Sequence, residues 1–401
     1  MPIPMFSARR VLMIAGAILA MLSAGCAPLS PAPATQLDRA RLADIDRAIG
    51  AVVATRGMPG AVFHLERNGE RYQRAYGRLS YDDGAAAVAP ATVFDAASLT
   101  KVLATAPSVL LLAEAGKLDL EAPLARYFPE CGGNGKDGMT VRHLLTHNSG
   151  LPAGLPALPA WEGTAAAQEL ACARRVTDAP GAAFRYSDVN YILLGNLVQR
   201  VSGMPLDEFA QRHIFTPLRM HQTGYLPLAR IDAAAIAPTQ RGAAGVLQGV
   251  VHDPTARRMR GVAGSAGVFT SAGDVARFAR MLLAGGELDG TRILSADSVR
   301  LMTTVQSPPG LAQLRGMGMD IDSPFARPRG ELFPIGSFGH TGFTGCILWI
   351  DPRSGTFYVF LSNRVYPDDK SNILSLYGRL GTLAAQAALG VEFAALRRAA
   401  P

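Results

Sequence analysis

Two segments near the C-terminus, GCILWID (345–351) and TFYVFLSN (356–363), are apolar at almost every position. The residues PRSG between them have turn composition, so the pattern predicts an antiparallel β-hairpin. Side chains alternate between the two faces of a strand, and a strand that is apolar throughout must be buried on both faces. The chain therefore has to supply cover for both sides of a sheet.

Cover for this sheet is available at both ends of the chain. Residues 37–56 have the apolar spacing of an amphipathic helix, and a C-terminal helix is predicted over about 371–389. A second hairpin is predicted over 61–77, because two strand-like runs meet at Asn68-Gly69, the strongest short hairpin signal. From residue 98 to about 225 the pattern is mostly helical.

This order of elements predicts an α+β fold. The expected architecture is an antiparallel sheet flanked by N- and C-terminal helices, with an inserted mostly helical domain at about 106–250. The folded domain is expected to span 37–390, and 391–401 to form a C-terminal tail. A chain of 401 residues is long enough to bury such a core.

The charge balance argues against a nucleic-acid partner. The net charge is +7, and it comes almost entirely from arginine, because lysine occurs only at positions 101, 117, 136 and 370. Nucleic-acid-binding proteins concentrate their cations in a patch or stripe, whereas these arginines are scattered.

The first 26 residues have the features of an export signal. Two arginines precede the apolar run 11–21, which is too short to span a bilayer, and small residues lead to Cys26. Cys26 resembles the acylated cysteine of bacterial lipoproteins; an ordinary secretory signal is the alternative. The Pro- and Ala-rich segment 27–36 then reads as a tether. We expect a lipid-anchored protein of the cell envelope that faces the periplasm.

Three cysteines remain after Cys26. Cys131 and Cys172 lie in loop or helix-end contexts and can pair in an oxidising compartment. Cys346 lies inside the apolar hairpin and is predicted to be a small buried hydrophobic side chain. The sequence leaves the pairing open.

Ser98 and Lys101 are the first candidates for chemistry. On a helix, positions i and i+3 share one face, so the Lys101 ammonium reaches the Ser98 hydroxyl. A serine hydroxyl becomes a good nucleophile only when a base removes its proton. Lysine serves as that base if desolvation lowers its pKa, and the neighbouring residues are apolar. The alternative is a helix cap beside a solvated lysine.

Two further segments offer groups that suit an acyl-transfer site. Tyr186 lies just before a helix whose predicted N-cap is Ser187 and whose end is Gly203, so its hydroxyl can project into a cleft. A tyrosine there can carry a proton between nucleophile and leaving group. The triplet His340-Thr341-Gly342 leads into the buried hairpin, where glycine permits close approach.

Ser-x-x-Lys (98–101), Tyr-x-Asp (186–188) and His-Thr-Gly (340–342), in this order, resemble the serine β-lactamase and penicillin-binding protein superfamily. The class C-like branch, with D-alanyl-D-alanine carboxypeptidases, D-aminopeptidases and family VIII carboxylesterases, is the most similar. The resemblance covers about 38–390 and implies a β-lactamase/transpeptidase-like fold.

The resemblance implies a role for each matching residue. Ser98 would be the acylated nucleophile, Lys101 its activating partner and Tyr186 the proton carrier. The backbone N–H groups of Ser98 and Phe343 would form the oxyanion hole. The substrate-binding positions would be Asp188 and the triplet of His340, Thr341 and Gly342. No cofactor and no metal are implied.

Two positions depart from the family pattern. Asp188 stands where β-lactamases usually have Asn, and it would raise the pKa of Lys101 and so oppose a role of that lysine as a base. The two roles are compatible if Lys101 and Asp188 simply pair and Tyr186 acts as the base. His340 stands where they have Lys, so a fixed cation for a substrate carboxylate is missing. A protonated His340 would partly replace it near neutral pH.

The sequence therefore predicts an exported serine hydrolase that acts through an acyl-enzyme on D-Ala-type peptides, esters or β-lactams, with a small-molecule or peptidoglycan-derived substrate. The alternatives are a carboxylesterase and a penicillin-binding protein that acylates with little turnover.

His143 and His147 have helical i, i+4 spacing but lack the Glu of a zinc-protease motif. The oligomeric state stays open.

Overall fold

Both ends of the chain contribute strands to one antiparallel sheet. The computed structural model describes residues 35–243 and 245–398. The predicted signal segment, Cys26 and nearly all of the tether lie outside the described residues.

Within the described residues the strands are β1 (Gly60–Arg67), β2 (Glu70–Gly77), β3 (Phe94–Asp95), β4 (Gln240–Gly242), β5 (Gly245–Leu247), β6 (Phe269–Thr270), β7 (Glu287–Leu288), β8 (Thr291–Arg292), β9 (Leu314–Arg315), β10 (Asp320–Asp322), β11 (Phe338–Gly342), β12 (Cys346–Asp351) and β13 (Thr356–Ser362). The α-helices are α1 (Arg39–Ala54), α2 (Ala106–Glu114), α3 (Val141–Leu145), α4 (Gly163–Ala173), α5 (Asp188–Ser202), α6 (Leu206–Ala210), α7 (Pro254–Arg258), α8 (Ala272–Leu283), α9 (Ala296–Thr303), α10 (Leu374–Gln386) and α11 (Phe393–Arg398).

The main sheet has seven strands in the order β2-β1-β13-β12-β11-β10-β9, so the predicted α+β fold is confirmed. The apolar segments pair as β12 and β13, with Trp349 opposite Tyr358. The N-terminal hairpin pairs β1 with β2 across Asn68 and Gly69, whose positive φ values of 47° and 87° suit a tight hairpin turn.

Both faces of the sheet are covered, but not as the sequence suggested. The two terminal helices, α1 and α10, pack together on one face, in a core cluster that contains Phe63, Trp349 and Phe360. The opposite face, with Leu348, Val359 and others, packs against α8 and the central helices. The terminal helices therefore share one face, and a helix from the middle of the chain supplies the second cover.

A continuous helical stretch, Ala97–Glu114, runs through the core. It is long and apolar enough to cross a membrane, yet 78% of it is buried inside the protein, as in a core helix. It begins with a 3₁₀ turn (Ala97–Leu99), continues as a π-helix (Lys101–Thr105) and ends as α2. Single π turns inside helices are frequent at functional sites.

Packing continues past residue 390, within the predicted tail. Phe393 of α11 is buried and meets Phe333 edge-on, with ring centroids 5.4 Å apart.

Cys131 and Cys172 form a disulfide between the 3₁₀ turn Pro129–Cys131 and α4, and Cys346 is buried as a free thiol.

Breaking the disulfide should destabilise the protein, because the bond closes a loop of 41 residues and limits the unfolded chain. Loop-closure entropy gives a loss of about 3–4 kcal/mol in the free energy of unfolding. Denaturant unfolding with and without reductant measures it. A double Cys131→Ala/Cys172→Ala variant should be as unstable as the reduced protein and insensitive to reductant. An unchanged midpoint after complete reduction would contradict the expectation.

Candidate active site

Ser98 lies on a strained turn that a buried carboxylate holds in place. Ala97, the residue before it, has φ +46°, a left-handed conformation that non-glycine residues seldom adopt. Asp95 Oδ1 accepts the Ala97 N–H at 2.8 Å, and Asp95 Oδ2 accepts the His252 backbone N–H at 2.7 Å. Backbone strain of this kind persists where the surroundings impose it, and it concentrates at active sites.

Asp95 is a positioning group that sequence reasoning missed. It is 1% exposed, and burial raises the pKa of its carboxyl to about 6 although two N–H groups bind it. The only signal available in the sequence was an acidic residue just before a predicted nucleophile. His252 enters this contact through its main chain, consistent with a loop-fixing role.

Lys101 is fully buried and its ammonium meets three acceptors. Nζ lies 2.9 Å from Ser98 Oγ, 2.8 Å from the carbonyl oxygen of Ser265 and 2.7 Å from Asp188 Oδ1. The ammonium therefore makes hydrogen bonds to Ser98 and Ser265 and an ion pair with Asp188. The predicted contact between Ser98 and Lys101 is present, and Ser98 Oγ is the acceptor in it.

The pKa of Lys101 is raised, as the sequence predicted for a lysine beside Asp188, and not lowered as a basic lysine would require. Burial alone would lower the pKa of Lys101, but the charges and hydrogen bonds of Asp188 and Tyr186 outweigh it and raise that pKa above its ordinary value. Lys101 therefore stays cationic at neutral pH. A cationic lysine cannot take the Ser98 proton, but it favours negative charge on Oγ.

Asp188 forms an ion pair with this lysine. It is the first residue of α5, whose predicted N-cap is confirmed because Ser187 Oγ accepts the Asn190 N–H. The predicted end at Gly203 is also confirmed, with φ +74°. The Asp188 side chain is 39% exposed, yet it points Oδ1 at buried Lys101. Asp188 thus has an ion-pairing role that the sequence left as an alternative, and its role in substrate binding stays a prediction.

Tyr186 precedes α5, and its ring stands beside Lys101. The Nζ atom lies 5.1 Å from the ring centroid. The imidazole of His147 also packs against the Tyr186 ring, with 4.4 Å between the two ring centroids. Its Nδ1 accepts the Ser187 N–H at 3.2 Å. His147 thus orients the loop that carries Tyr186. Sequence reasoning singled out His147 only as a rejected metal ligand.

His340 is buried at the centre of β11 and is neutral. Desolvation, reinforced by the charges of Arg315 and Lys101, holds its pKa well below the usual range. Its Nδ1 lies 2.8 Å from the Thr341 carbonyl oxygen, which assigns the ring proton to Nδ1. The expectation that a protonated His340 would replace the missing lysine near neutral pH is therefore wrong.

The end of β11 lies against the nucleophile turn. A Cβ at Gly342 would lie 2.5 Å from the Ala96 carbonyl oxygen, so only glycine permits this approach. Thr344 Oγ1 donates to the Asp95 carbonyl oxygen at 2.7 Å. Phe343, the proposed oxyanion-hole residue, lies between these two contacts. Phe343 is 55% exposed.

The predicted groups meet in one cavity of about 430 Å³. It is lined by Ser98, Tyr186, Asp320, Phe325, His340, Thr341, Gly342, Phe343, Arg364, Asp369, Ser371, Asn372, Ile373, Leu374 and Tyr377. Ser98, Tyr186 and the triplet thus share a pocket, while Lys101 and Asp188 support it from behind. Over residues 35–243 and 245–398, no group of three or more His, Cys, Asp and Glu side chains is arranged to hold a metal ion.

Comparison with known proteins gives a consistent result. The family model described as Beta-lactamase matches residues 45–380. A protein named "Putative D-alanyl-D-alanine carboxypeptidase" from Escherichia coli O157:H7 is 31% identical over 364 residues, which cover 81% of this chain and 82% of that protein. An "N-acetylmuramyl-L-alanine amidase" of Bacillus subtilis (strain 168) is 29% identical and covers 85% of this chain and 86% of its own.

A solved structure shares the fold. The penicillin-binding protein homolog from Caulobacter crescentus superposes with a TM-score of 0.68 at 22% identity, covering 88% of this chain and 99% of that chain.

Replacing Asp188 by Asn should make the charge of Lys101 sensitive to pH. Without the carboxylate, only Tyr186 still opposes the effect of burial, and the pKa of the ammonium falls. Because deprotonation removes the cation, the alkaline limb of the acylation rate should move to lower pH. A pH series of acylation by a chromogenic cephalosporin or an ester measures this limb.

Asp178→Asn is the matched control, because Asp178 forms an ion pair with Arg185 at the surface. This variant should keep the wild-type pH profile. If Asp188→Asn keeps it as well, Asp188 does not set the charge of Lys101.

Proposed function

The chain belongs to the beta-lactamase family of hydrolases, and we propose that it is an exported serine hydrolase that forms an acyl-enzyme on Ser98. The observation that carries the proposal is the hydrogen bond of 2.9 Å between Ser98 Oγ and the buried ammonium of Lys101, which is ion-paired with Asp188. A structural serine does not need a cation buried beside it, since burying an ammonium costs several kcal/mol before its partners repay it.

The proposed reaction begins with attack of Ser98 Oγ on the substrate carbonyl carbon. Lys101 stays cationic and stabilises the oxygen as its proton leaves. Tyr186 takes that proton and delivers its own to the leaving nitrogen or oxygen, so the C–N or C–O bond breaks without a free anion. The N–H groups of Ser98 and Phe343 bind the carbonyl oxygen. Water then attacks the carbonyl carbon of the ester, and the bond between that carbon and Oγ breaks. One proton of the water returns to Ser98 Oγ as the carboxylic acid leaves.

For the substrate we propose D-Ala-type peptides derived from peptidoglycan. The names of the relatives from Escherichia coli and Bacillus subtilis support a substrate of this kind. We further propose that the mature chain is a periplasm-facing lipoprotein held through Cys26. The disulfide between Cys131 and Cys172 supports an oxidising compartment, because such bonds persist outside the cytoplasm.

Replacing Ser98 by Ala should abolish both acylation and turnover. Mass spectrometry after incubation with a fluorescent penicillin should find the adduct on the Ser98 peptide of the wild type and none in the variant. Turnover of a p-nitrophenyl ester should fall at least about 10³-fold, as for other nucleophile deletions.

Ser375→Ala, at an exposed serine of α10, is the control and should react like the wild type. Equal ester turnover by Ser98→Ala would refute the site. A wild-type adduct that never releases product would instead identify a protein that binds penicillin without hydrolysing it.

A carboxylesterase is the second candidate, favoured by the neutral state of His340. The family lysine would offer a cation to a substrate carboxylate at this position, whereas His340 is uncharged and its Nδ1 proton is engaged by Thr341. Nearby walls are apolar, with Phe325, Ile373 and Leu374 lining the cavity. These features suit an uncharged ester that carries an apolar group.

A charge at position 340 separates the two candidates. If the site favours uncharged esters, the wild type should prefer a p-nitrophenyl ester to an N-acyl-D-alanyl-D-alanine peptide. His340→Lys should then raise kcat/KM for the peptide by about 5-fold, the equivalent of about 1 kcal/mol for one ion pair with the substrate carboxylate. The neutral control His340→Gln should give no such gain. A wild type that already prefers the peptide would argue against the esterase.

A further inference from the structure

We propose that Arg364 is a positioning residue that holds the Phe343 peptide in the geometry of an oxyanion hole. This inference rests on the proposed acyl-enzyme function. Arg364 follows β13 and lines the same cavity as Ser98. Its Nε donates to the Phe343 carbonyl oxygen at 2.9 Å, and its Nη2 donates to the same oxygen at 2.5 Å.

Arg364 also contacts the side chain of Phe343. The guanidinium carbon lies 4.5 Å from the centroid of the ring, in a cation–π arrangement. Phe343 is 55% exposed, so burial contributes little to holding this residue. Its ring also stacks on His252, with 5.7 Å between the two ring centroids. Arg364 is the residue that contacts both the ring and the carbonyl group of Phe343.

Further hydrogen bonds hold Arg364 in position, so that it can in turn restrict the movement of Phe343. Its Nη1 donates to the carbonyl oxygens of Ser371 at 2.7 Å and Asp369 at 3.3 Å. Its backbone N–H donates to the Thr344 carbonyl oxygen at 3.1 Å. The guanidinium thus ties the turn at Phe343 to the segment before α10.

A glycine makes room for this arginine. A Cβ at Gly345 would lie 2.7 Å from the Cγ of Arg364, and the residue has φ +101°. Both the space and the backbone conformation therefore require glycine at 345. The next contact along the turn, from Thr344 to the Asp95 carbonyl, connects the braced segment to the turn that carries Ser98.

The geometry distinguishes positioning from simple charge. A planar guanidinium can direct two N–H groups at one oxygen and stack on a ring, as Arg364 does at Phe343, whereas an ammonium supplies a single point charge. Lysine at 364 would keep the charge in the cavity but lose the double contact with Phe343. A role in binding a substrate carboxylate would survive this exchange better than a role in orienting an amide.

The test compares Arg364→Lys and Arg364→Gln with the wild-type chain. We measure kcat and KM for one ester, the inhibition constant of a phenylboronic acid, and the melting temperature. A boronic acid forms a tetrahedral adduct on the serine, and that adduct places an oxygen in the oxyanion hole. Both variants should lose about 10- to 100-fold in kcat and in boronate affinity, somewhat less than deletion of one donor costs. KM should change little.

Arg379→Lys, an exposed arginine of α10, is the control and should match the wild type. The proposal fails if Arg364→Lys retains wild-type kcat and boronate affinity. It also fails if KM rises while kcat stays constant, which would identify a substrate-binding cation instead. The expected loss must occur with an unchanged melting temperature in at least one variant; a loss that only parallels unfolding in both overturns it. Absence of any Ser98 adduct in the wild type would refute the proposed function itself.

Discussion

The buried ammonium of Lys101 is the interaction on which the site depends. A charge at this depth costs several kcal/mol unless acceptors surround it. The three acceptors come from separate parts of the chain: Ser98 one turn away, Asp188 at the start of α5, and the Ser265 carbonyl in the segment before β6. The need to satisfy one cation therefore draws the nucleophile, the helix behind Tyr186 and a distant loop into a single arrangement.

The sheet fixes the remaining wall of the pocket. Strand β11 is paired to β12 on one side and to β10 on the other, so the triplet that ends it has little freedom. Gly342 brings its backbone against the Ala96 carbonyl, and Thr344 binds the Asp95 carbonyl. These contacts tie the strand end to the strained turn at Ala97. A rigid sheet and a buried helix thus meet at the position where an acyl group would bind.

Charge in the pocket follows from burial as much as from residue type. Asp188 raises the pKa of Lys101, and its departure from the family's Asn makes the lysine a permanent cation rather than a base. His340 is an imidazole whose environment keeps it neutral, so the triplet contributes hydrogen bonding without charge. In the proposed reaction the proton travels through Tyr186, whose loop is held by His147.

By itself the sequence determined the elements and the identity of the chemical groups. Local signals suffice for these: the alternation that requires a doubly covered hairpin, the Asn68-Gly69 turn, the cap at Ser187, and three motifs in a recognisable order. Tertiary structure decided how the groups behave. Contacts between residues far apart in the chain decide which helices cover which face of the sheet. They also decide the protonation of Lys101 and His340 and bring Asp95, His147 and Arg364 to the site. Hydropathy and spacing describe neighbours along the sequence, whereas desolvation and Coulomb energy depend on neighbours in space.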